Sequence, residues 1–331
     1  MAIAQIHPGI VRITLPLPGK KPGPVHVYLF RGRHNTTLLD TGTYLFSRSL
    51  KSALGRLGLG YRDLDSIVLT HGHVDHCGAV RTIVRQNARG VRVCAHRDEI
   101  PTIQAGFDAP PQVYARFLAH TGTPLPYRLA IGVMLGSFQL LAQGCAVDAA
   151  LHDGDQLALG DHAARVVATP GHTRGSISLF LEKEGLLFSG DHILNHITPN
   201  ALPMLERELA LPLRQSQKEY FHSLEVVAGL APRIIYPAHG DRITDFDAIH
   251  RMYQRCFTER QNALLAILGQ HPPESIYATA RKLFPRIGGR SFLLDLYLAI
   301  SETYSHLQVL AADGRVRMEL RGKRLQVTAS R

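Results

Sequence analysis

The sequence Thr70-His71-Gly72-His73-Val74-Asp75-His76 follows a short apolar run, residues 64–69, that is typical of a β-strand. Histidine and aspartate are costly to bury without partners, whereas neutral imidazole and carboxylate are good ligands for zinc and related divalent ions. Because His71 and His73 can point one way and Asp75 and His76 another, one loop can serve two ions. The stretch therefore predicts a metal site rather than an exposed polar loop.

The composition favours a globular protein with a large core. The chain has 331 residues, 45% of them hydrophobic, which suggests one large domain and a smaller one. The four cysteines form no CxxC pair and are typical of buried thiols in a reducing compartment. The N-terminus lacks the features of a signal peptide, and the longest mostly apolar stretch, residues 129–142, is too short to cross a bilayer. We expect a soluble cytoplasmic protein with no membrane partner.

The charge is distributed unevenly along the chain. The net charge is +10, and residues 251–331 alone carry 13 Lys/Arg against 6 Asp/Glu. A basic segment of this kind is compatible with binding to nucleic acid or to an acidic ligand. The simpler interpretation, a solvated surface, is the one that we expect.

Four residues with metal-binding side chains come at or just after the ends of predicted strands. They are His71, His172, Asp191 and His239, and the strands before them are residues 64–69, 163–169, 186–189 and 233–236. Strand ends along one edge of a sheet converge in space. We therefore expect these residues to share one cleft although they are far apart in the sequence.

Residues 98–147 interrupt the succession of strands. Proline breaks at Pro101, Pro110-Pro111, Pro124 and Pro126 alternate there with helix-like pieces, such as residues 111–120 and 133–142. This segment is either a lid or wall of the substrate pocket, or a peripheral insertion that only covers the core. The pattern leaves both interpretations open.

The ordered set of motifs resembles the metallo-β-lactamase-fold hydrolase superfamily. The motifs are Leu39-Asp40-Thr41-Gly42, His71-x-His73-x-Asp75-His76, Gly171-His172-Thr173, Gly190-Asp191 and Ala238-His239-Gly240. The resemblance covers roughly residues 8–245 and implies an α/β (α+β) fold, a four-layer αβ/βα sandwich of two mixed sheets with helices on the outer sides. It also implies a two-metal site, most often zinc and sometimes iron or manganese.

The resemblance carries seven metal ligands over to this chain. The ligands of the first ion would be His71, His73 and His172. The ligands of the second ion would be Asp75, His76 and His239, with Asp191 as a bridge between the ions. Asp40 would instead orient a ligand or stabilise the turn beneath the site.

The same ligand set implies a hydrolytic chemistry. Two ions that share a water lower its pKa to about 7 and provide hydroxide as the nucleophile. The predicted catalytic residues are Asp75, which would hold the nucleophile and help to move its proton, and Asp191, which would set the metal separation. Lactamases proper of this fold commonly have cysteine at the position of Asp191, so the aspartate favours the thioesterase, lactonase and nuclease branches.

Three further residues are candidates for contact with the substrate. His192 and His196 follow the bridging aspartate closely, and Arg174 lies two residues after His172. Each has an alternative interpretation: a structural histidine for the first two and a surface arginine for the third.

The C-terminal residues predict a separate small domain. We expect residues 1–245 to form the hydrolase domain, with 98–147 as its helical insertion, and residues 246–331 to form three helices and a hairpin that resemble a winged helix. The predicted hairpin carries five basic residues: Arg315, Arg317, Arg321, Lys323 and Arg324. These could bind a nucleic-acid backbone, but no aromatic side chains are interleaved for base stacking, which favours a solubilising surface.

The leading hypothesis is therefore a two-metal hydrolase of a small ester-like molecule, such as a thioester or a lactone. The main alternative is a metal-dependent endoribonuclease that acts on single-stranded RNA. A persulfide dioxygenase with a single iron fits less well because the second ligand set is complete, and a metal-binding module without catalysis is the remaining alternative. The pattern makes no prediction of oligomeric state.

Overall fold

The computed structural model describes residues 2–17, 22–106, 111–199, 201, 214–270, 274–289 and 291–330. These residues form two compact units. Of the described residues, the first unit contains those up to 106, 138–199 and 223–246, and the second contains 111–137, 201, 214–222 and 247–330. One boundary between the units lies at residue 246, and residues 111–137 group with the C-terminal residues and not with the unit that precedes them. The division into a hydrolase domain over 1–245 and a domain over 246–331 stays a prediction.

The strands of the first unit are β1 (Ala2–His7), β2 (Ile10–Leu15), β3 (Val25–Arg31), β4 (Thr36–Leu39), β5 (Ser66–Leu69), β6 (Arg92–His96), β7 (Ala149–Leu151), β8 (Gln156–Leu159), β9 (His162–Ala168), β10 (Ile177–Leu181), β11 (Leu186–Gly190) and β12 (Ile234–Pro237). The second unit contains β13 (Glu274–Ser275), β14 (Val316–Arg321) and β15 (Arg324–Ala329).

The helices are α1 (Ser47–Arg56), α2 (Val74–Cys77), α3 (Val80–Gln86), α4 (Ile100–Ala105), α5 (Pro111–His120), α6 (Leu125–Phe138), α7 (Ser216–Leu230), α8 (Phe246–Gln270), α9 (Ile276–Leu283) and α10 (Phe292–Ala312). Short 3-10 helices cover Tyr44–Phe46, Tyr61–Asp63 and Gln139–Leu141. None of the helices in the described part of the chain is long and apolar enough to cross a membrane.

Two mixed sheets form the first unit. One has seven strands in the order β1 to β7, antiparallel up to β4 and parallel from β4 to β7. The other has five strands in the order β12-β11-β10-β9-β8, with only β11 and β12 parallel. Mixed sheets of this kind agree with the predicted architecture.

The alternation of side chains along the strands builds a core on each face of the seven-stranded sheet. In β3, Tyr28 and Phe30 belong to a cluster shared with the five-stranded sheet, where the Phe30 and Phe188 rings lie 5.1 Å apart. Leu29, which lies between them, faces the other way and joins a cluster with Leu50 of α1. The two sheets therefore pack face to face, and helices cover the outer face of the larger one.

Most predicted elements of the first unit form, with shifted ends. The helical spacing of Leu50, Leu54 and Leu57 predicts a helix over 44–59. In the structure these residues begin as a 3-10 turn, and α1 ends at Arg56. The predicted strand over 64–69 starts only at Ser66, because the 3-10 helix Tyr61–Asp63 precedes it and the Asp65 carboxylate accepts the Thr36 N–H at 2.8 Å.

The helix predicted at 133–142 begins earlier in the sequence and is longer than predicted. The helix α6 begins at Leu125, and Pro126, which is predicted to be a break, lies in its first turn. Proline is tolerated there because the N–H groups of the first turn have no intrahelical partner. Pro110, which belongs to another predicted break, lies outside the described residues.

The second unit has its own core. Phe117 and Ile131, from α5 and α6, join a cluster with Leu296 and Ile300 of α10. The predicted hairpin forms between β14 and β15, and β13 completes a three-stranded sheet in the order β13-β15-β14. The assignment of this unit as a winged helix stays a prediction, as does a lid function for residues 98–147.

Candidate metal centre

The first group of predicted ligands lies at one edge of the first unit. The donor atoms of His71, His73, His172 and Asp191 all lie within 4.8 Å of one another. Nδ1 of His73 is 3.0 Å from Nε2 of His71 and 3.1 Å from Nε2 of His172. Ligands about 2.0–2.1 Å from one tetrahedral zinc ion lie roughly 3.3 Å apart, so the three ring nitrogens are spaced for a common ion.

The second group lies beside the first. The donor atoms of Asp75, His76 and His239 also lie within 4.8 Å of one another. The carboxylate of Asp191 faces both groups: Oδ1 is 3.4 Å from Nε2 of His76 and 3.5 Å from Nε2 of His239, whereas Oδ2 is 3.6 Å from Nε2 of His172. The structure therefore brings all seven predicted ligands together, with Asp191 between the two groups.

The buried atoms of this centre fit a divalent cation. Nε2 of His76, Nε2 of His239 and Oδ1 of Asp191 are buried and have no hydrogen-bond partner among the described residues. Buried polar atoms are almost always paired, and leaving one unpaired is costly. A metal ion at each group would satisfy all three atoms, so the donor set and its surroundings fit the two ions that the family resemblance implies.

Asp40 holds one of these ligands. Its Oδ2 accepts the Nδ1–H of His76 at 2.8 Å and the hydroxyl of Thr70 at 2.8 Å, and its Oδ1 accepts the N–H of Thr70 at 2.8 Å. The residue is buried and has a φ of 59°, a conformation that is uncommon for residues other than glycine. Asp40 thus both orients His76, as outer carboxylates of metal sites do, and stabilises the turn after β4.

Two other ligands are oriented by oxygen atoms close to them. Nδ1–H of His239 donates to the carbonyl of Pro24 at 3.0 Å, which leaves Nε2 directed at the centre. Nδ1–H of His71 donates in the same way to the hydroxyl of Thr70 at 3.0 Å. Each contact fixes the tautomer in which the other ring nitrogen can bind a metal.

Two buried residues that support the ligand loops were not predicted from the sequence. His26 contacts the carbonyl of Gly240 through Nε2 at 2.8 Å, and burial lowers its pKa to about 4, so it is neutral. Glu99, also buried, accepts the N–H groups of Gly72 and Gly175. Neither belongs to a recognisable motif, and only the chain path of the folded protein brings them to these loops.

The charges of the side chains oppose the effect of burial at this centre. Burial alone would lower the pKa of His76, but the carboxylates of Asp191, Asp40 and Asp75 raise it well above the usual value. Burial would raise the pKa of Asp191, but His239, His76 and His172 lower it well below the usual value. The carboxylate of Asp191 is therefore ionised and available as a ligand.

The three candidate substrate residues lie outside the two ligand groups. His192 is fully buried, and burial lowers its pKa to about 3. Nε2–H of His196 donates to the carbonyl of Pro22 at 2.8 Å, and Nε of Arg174 lies 3.7 Å from Oδ2 of Asp98. His192 is thus buried, and the other two residues contact groups outside both ligand groups. A contact of any of the three with substrate stays a prediction.

Comparison with known proteins agrees with this geometry. Residues 21–239 match the family model described as the metallo-beta-lactamase superfamily. The probable metallo-hydrolase YqjP of Bacillus subtilis (strain 168) is 29% identical over 315 residues, which are 92% of each chain. A crystal structure of a metallo-beta-lactamase family protein from Thermus thermophilus is 25% identical, with a TM-score of 0.82 over 98% of this chain and 100% of that one.

A beta-lactamase domain protein from Burkholderia ambifaria has the same fold, with a TM-score of 0.81 and 21% identity over 99% of this chain and 94% of that one. These similarities confirm the predicted fold class and the resemblance drawn from the motifs. The match to the family model covers most of the first unit and includes every residue of both ligand groups. The chain belongs to the metallo-beta-lactamase superfamily.

Proposed function

We propose that the chain is a hydrolase that uses two zinc ions to cleave a thioester, a lactone or another small ester. The coarser statement, a metal-dependent hydrolase, follows from the family and from the similarity to a probable metallo-hydrolase over nearly the whole chain. The observation that carries the two-metal proposal is the position of Asp191, whose two oxygens face different ligand groups. A carboxylate in this position can bridge two ions and hold them at a fixed separation.

The residues of the centre have defined tasks in such a reaction. When bound, the ions supply a water of lowered pKa and polarise the carbonyl of the substrate. The two oxygens of Asp75 would have different tasks. Oδ2 lies 3.3 Å from Nε2 of His239, on the side of the second ligand group. Oδ1 lies 3.9 Å from Nε2 of His76 and would hold the attacking water. The same Oδ1 would take up the proton of the water and pass it to the departing thiolate or alkoxide.

One feature supports an uncharged ester rather than a phosphate-containing substrate. The guanidinium of Arg174, the basic residue nearest in sequence to His172, lies 3.7 Å from the carboxylate of Asp98 and thus already faces a negative charge. An anionic substrate group would have to compete with that carboxylate.

A second candidate function is the cleavage of single-stranded RNA. The observation that favours it is the basic hairpin of β14 and β15, where Arg317 and Arg321 are largely exposed and share only Glu319 as an acidic partner among the described residues. Such a surface can bind the phosphate backbone of a nucleic acid.

One experiment separates these functions. The purified protein is analysed for zinc, iron and manganese, and then assayed against thioesters, lactones, phosphodiesters and single-stranded RNA. We expect two equivalents of zinc, hydrolysis of at least one thioester or lactone, loss of activity with a chelator and recovery with Zn²⁺. Cleavage of RNA without any ester hydrolysis would replace the ester proposal, and a protein that binds no metal would refute both.

A further inference from the structure

The carboxylate of Glu99 connects the two loops that carry the first ligand group. Its Oε2 accepts the N–H of Gly72 at 2.7 Å, and its Oε1 accepts the N–H of Gly175 at 2.7 Å. Gly72 lies between His71 and His73, and Gly175 lies three residues after His172. One buried side chain therefore binds the backbone of both loops.

The two loops belong to different sheets. The loop of Gly72 follows β5 of the seven-stranded sheet, and the loop of Gly175 follows β9 of the five-stranded sheet. The histidines they carry must nevertheless place their nitrogens about 3 Å apart, as the 3.1 Å between His172 Nε2 and His73 Nδ1 shows. A hydrogen bond from each loop to the same carboxylate is a direct way to hold that spacing.

The glycines at the two contacts leave room for this carboxylate. A Cβ atom at position 72 would lie 2.5 Å from Cγ2 of Thr102 and 3.0 Å from Oε2 of Glu99. A Cβ atom at position 175 would lie 2.7 Å from Nδ1 of His96 and 3.0 Å from Cγ of Glu99. Any larger residue would push the loop away, so the close approach of both loops to Glu99 depends on glycine.

The Gly72 peptide is also held on its other side. The thiol of Cys77 donates to the carbonyl of Gly72 at 3.2 Å, while Glu99 accepts the N–H of the same residue. The residue that joins the first two histidine ligands is thus fixed at both of its polar backbone groups. Contacts at both groups restrict the movement of the Gly72 loop and hence of the His71 and His73 side chains on either side of it.

We propose that Glu99 is a positioning residue: it fixes the loop of Gly72 against the loop of Gly175 at the spacing that the first metal ion requires. The second ligand group has its own support in Asp40, whose contact with His76 does not involve Glu99. This inference rests on the proposed metal centre. It concerns metal affinity at one group of ligands and not the choice of substrate.

The test measures metal binding at each ligand group in a variant that disrupts the other group. His239→Ala disrupts the second group and leaves the first intact, whereas His73→Ala disrupts the first group and leaves the second intact. Glu99→Gln, which keeps the size of the side chain but offers only one acceptor oxygen, is placed in each background. Binding of Co²⁺ alone is titrated by its absorbance. Asp148→Asn is the matched control, because Oδ2 of Asp148 accepts the Val93 N–H at 2.8 Å away from both ligand loops.

We expect Glu99→Gln to weaken Co²⁺ binding by about 10–100-fold in the His239→Ala background, the usual effect of losing an outer partner of a metal ligand. In the His73→Ala background we expect a change of less than about threefold, since the Asp40 contacts are intact. Equal weakening in both backgrounds, or none in either, would overturn the proposal.

If Glu99→Gln does not fold, Glu99→Asp replaces it, because the shorter side chain cannot reach both N–H groups. The comparison of Co²⁺ binding in the two backgrounds then tests the proposal in the same way. The failure of the metal centre itself looks different. In that case the protein without any substitution binds no Co²⁺, whereas a failure of the Glu99 proposal leaves its two equivalents in place.

Discussion

Oδ2 of Asp40 lies 2.8 Å from Nδ1 of His76, although the two residues are 36 positions apart in the chain. This contact fixes the ring of His76 so that Nε2 faces Asp75 and Asp191. The metal centre is therefore prepared by residues that need not touch the metal. Substitutions can test the ligands, this supporting contact, the basic hairpin and the core that holds the two sheets together.

We expect Asp40→Asn to weaken metal binding at the second ligand group by about 10–100-fold. Asparagine tolerates the positive φ, so the turn is kept, but it provides only one acceptor oxygen in place of two. A zinc titration against a chromogenic chelator measures the change. Asp65→Asn, which removes a carboxylate that accepts the Thr36 N–H, is the control and should leave both affinities unchanged.

The substitution His73→Ala should abolish hydrolysis and reduce the bound metal to about one equivalent. Nδ1 of His73 is close to the donor nitrogens of both His71 and His172, so its loss opens the first group. Because a metal ion contributes several kcal/mol to catalysis, we expect turnover to fall at least about a thousandfold. His34→Ala, at an exposed histidine outside both groups, serves as the control, and full turnover in His73→Ala would refute the assignment.

Reversing the charge of the hairpin should leave ester hydrolysis intact. Arg315, Arg317 and Arg321 are exposed in the second unit, whereas all ligands lie in the first. The combined Arg→Glu variant is assayed with the best ester found and with single-stranded RNA. A protein that cleaves RNA and loses this activity in the variant, with no ester activity in either form, would favour the nuclease.

The ring of Phe188 should be a major contributor to stability. It is fully buried between the sheets, with its centroid 4.9 Å from that of Tyr28 and 5.1 Å from that of Phe30. Phe188→Ala should lower the free energy of unfolding by about 3–5 kcal/mol, measured by urea denaturation. Leu320→Ala, at a side chain that is 53% exposed, should change it by less than about 0.5 kcal/mol.

The convergence of four predicted ligands has a physical reason. His71, His172, Asp191 and His239 all come at or shortly after the ends of strands, and strand ends along one edge of a sheet must meet. Strand positions are readable from short apolar runs, so these four residues could be expected to share one cleft. The fold class and the rest of the candidate centre followed from the resemblance of the motifs to a known family. The metal-binding roles themselves stay predictions until the ion content is measured.

The supporting residues could not be found in the same way. Glu99 and His26 act through backbone groups of distant loops, and a backbone N–H or C=O has no signature in a sequence. The sequence does not predict strand β1, and it predicts α6 too far along the chain because proline residues such as Pro126 are typical of breaks. Local patterns thus indicated the strands and the ligands, while contacts between loops required the folded chain.

The second unit combines separate parts of the chain, and this has a consequence for truncated forms of the protein. Residues 111–137 lie far ahead of the C-terminal helices in the sequence, yet Phe117 packs against Tyr304 with ring centroids 5.5 Å apart. A fragment that stops after residue 246 would expose Phe117, Leu118 and Ile131 to water and should aggregate on expression. The C-terminal residues therefore cannot be deleted like an appended tag, and shortened forms of the catalytic part must retain them.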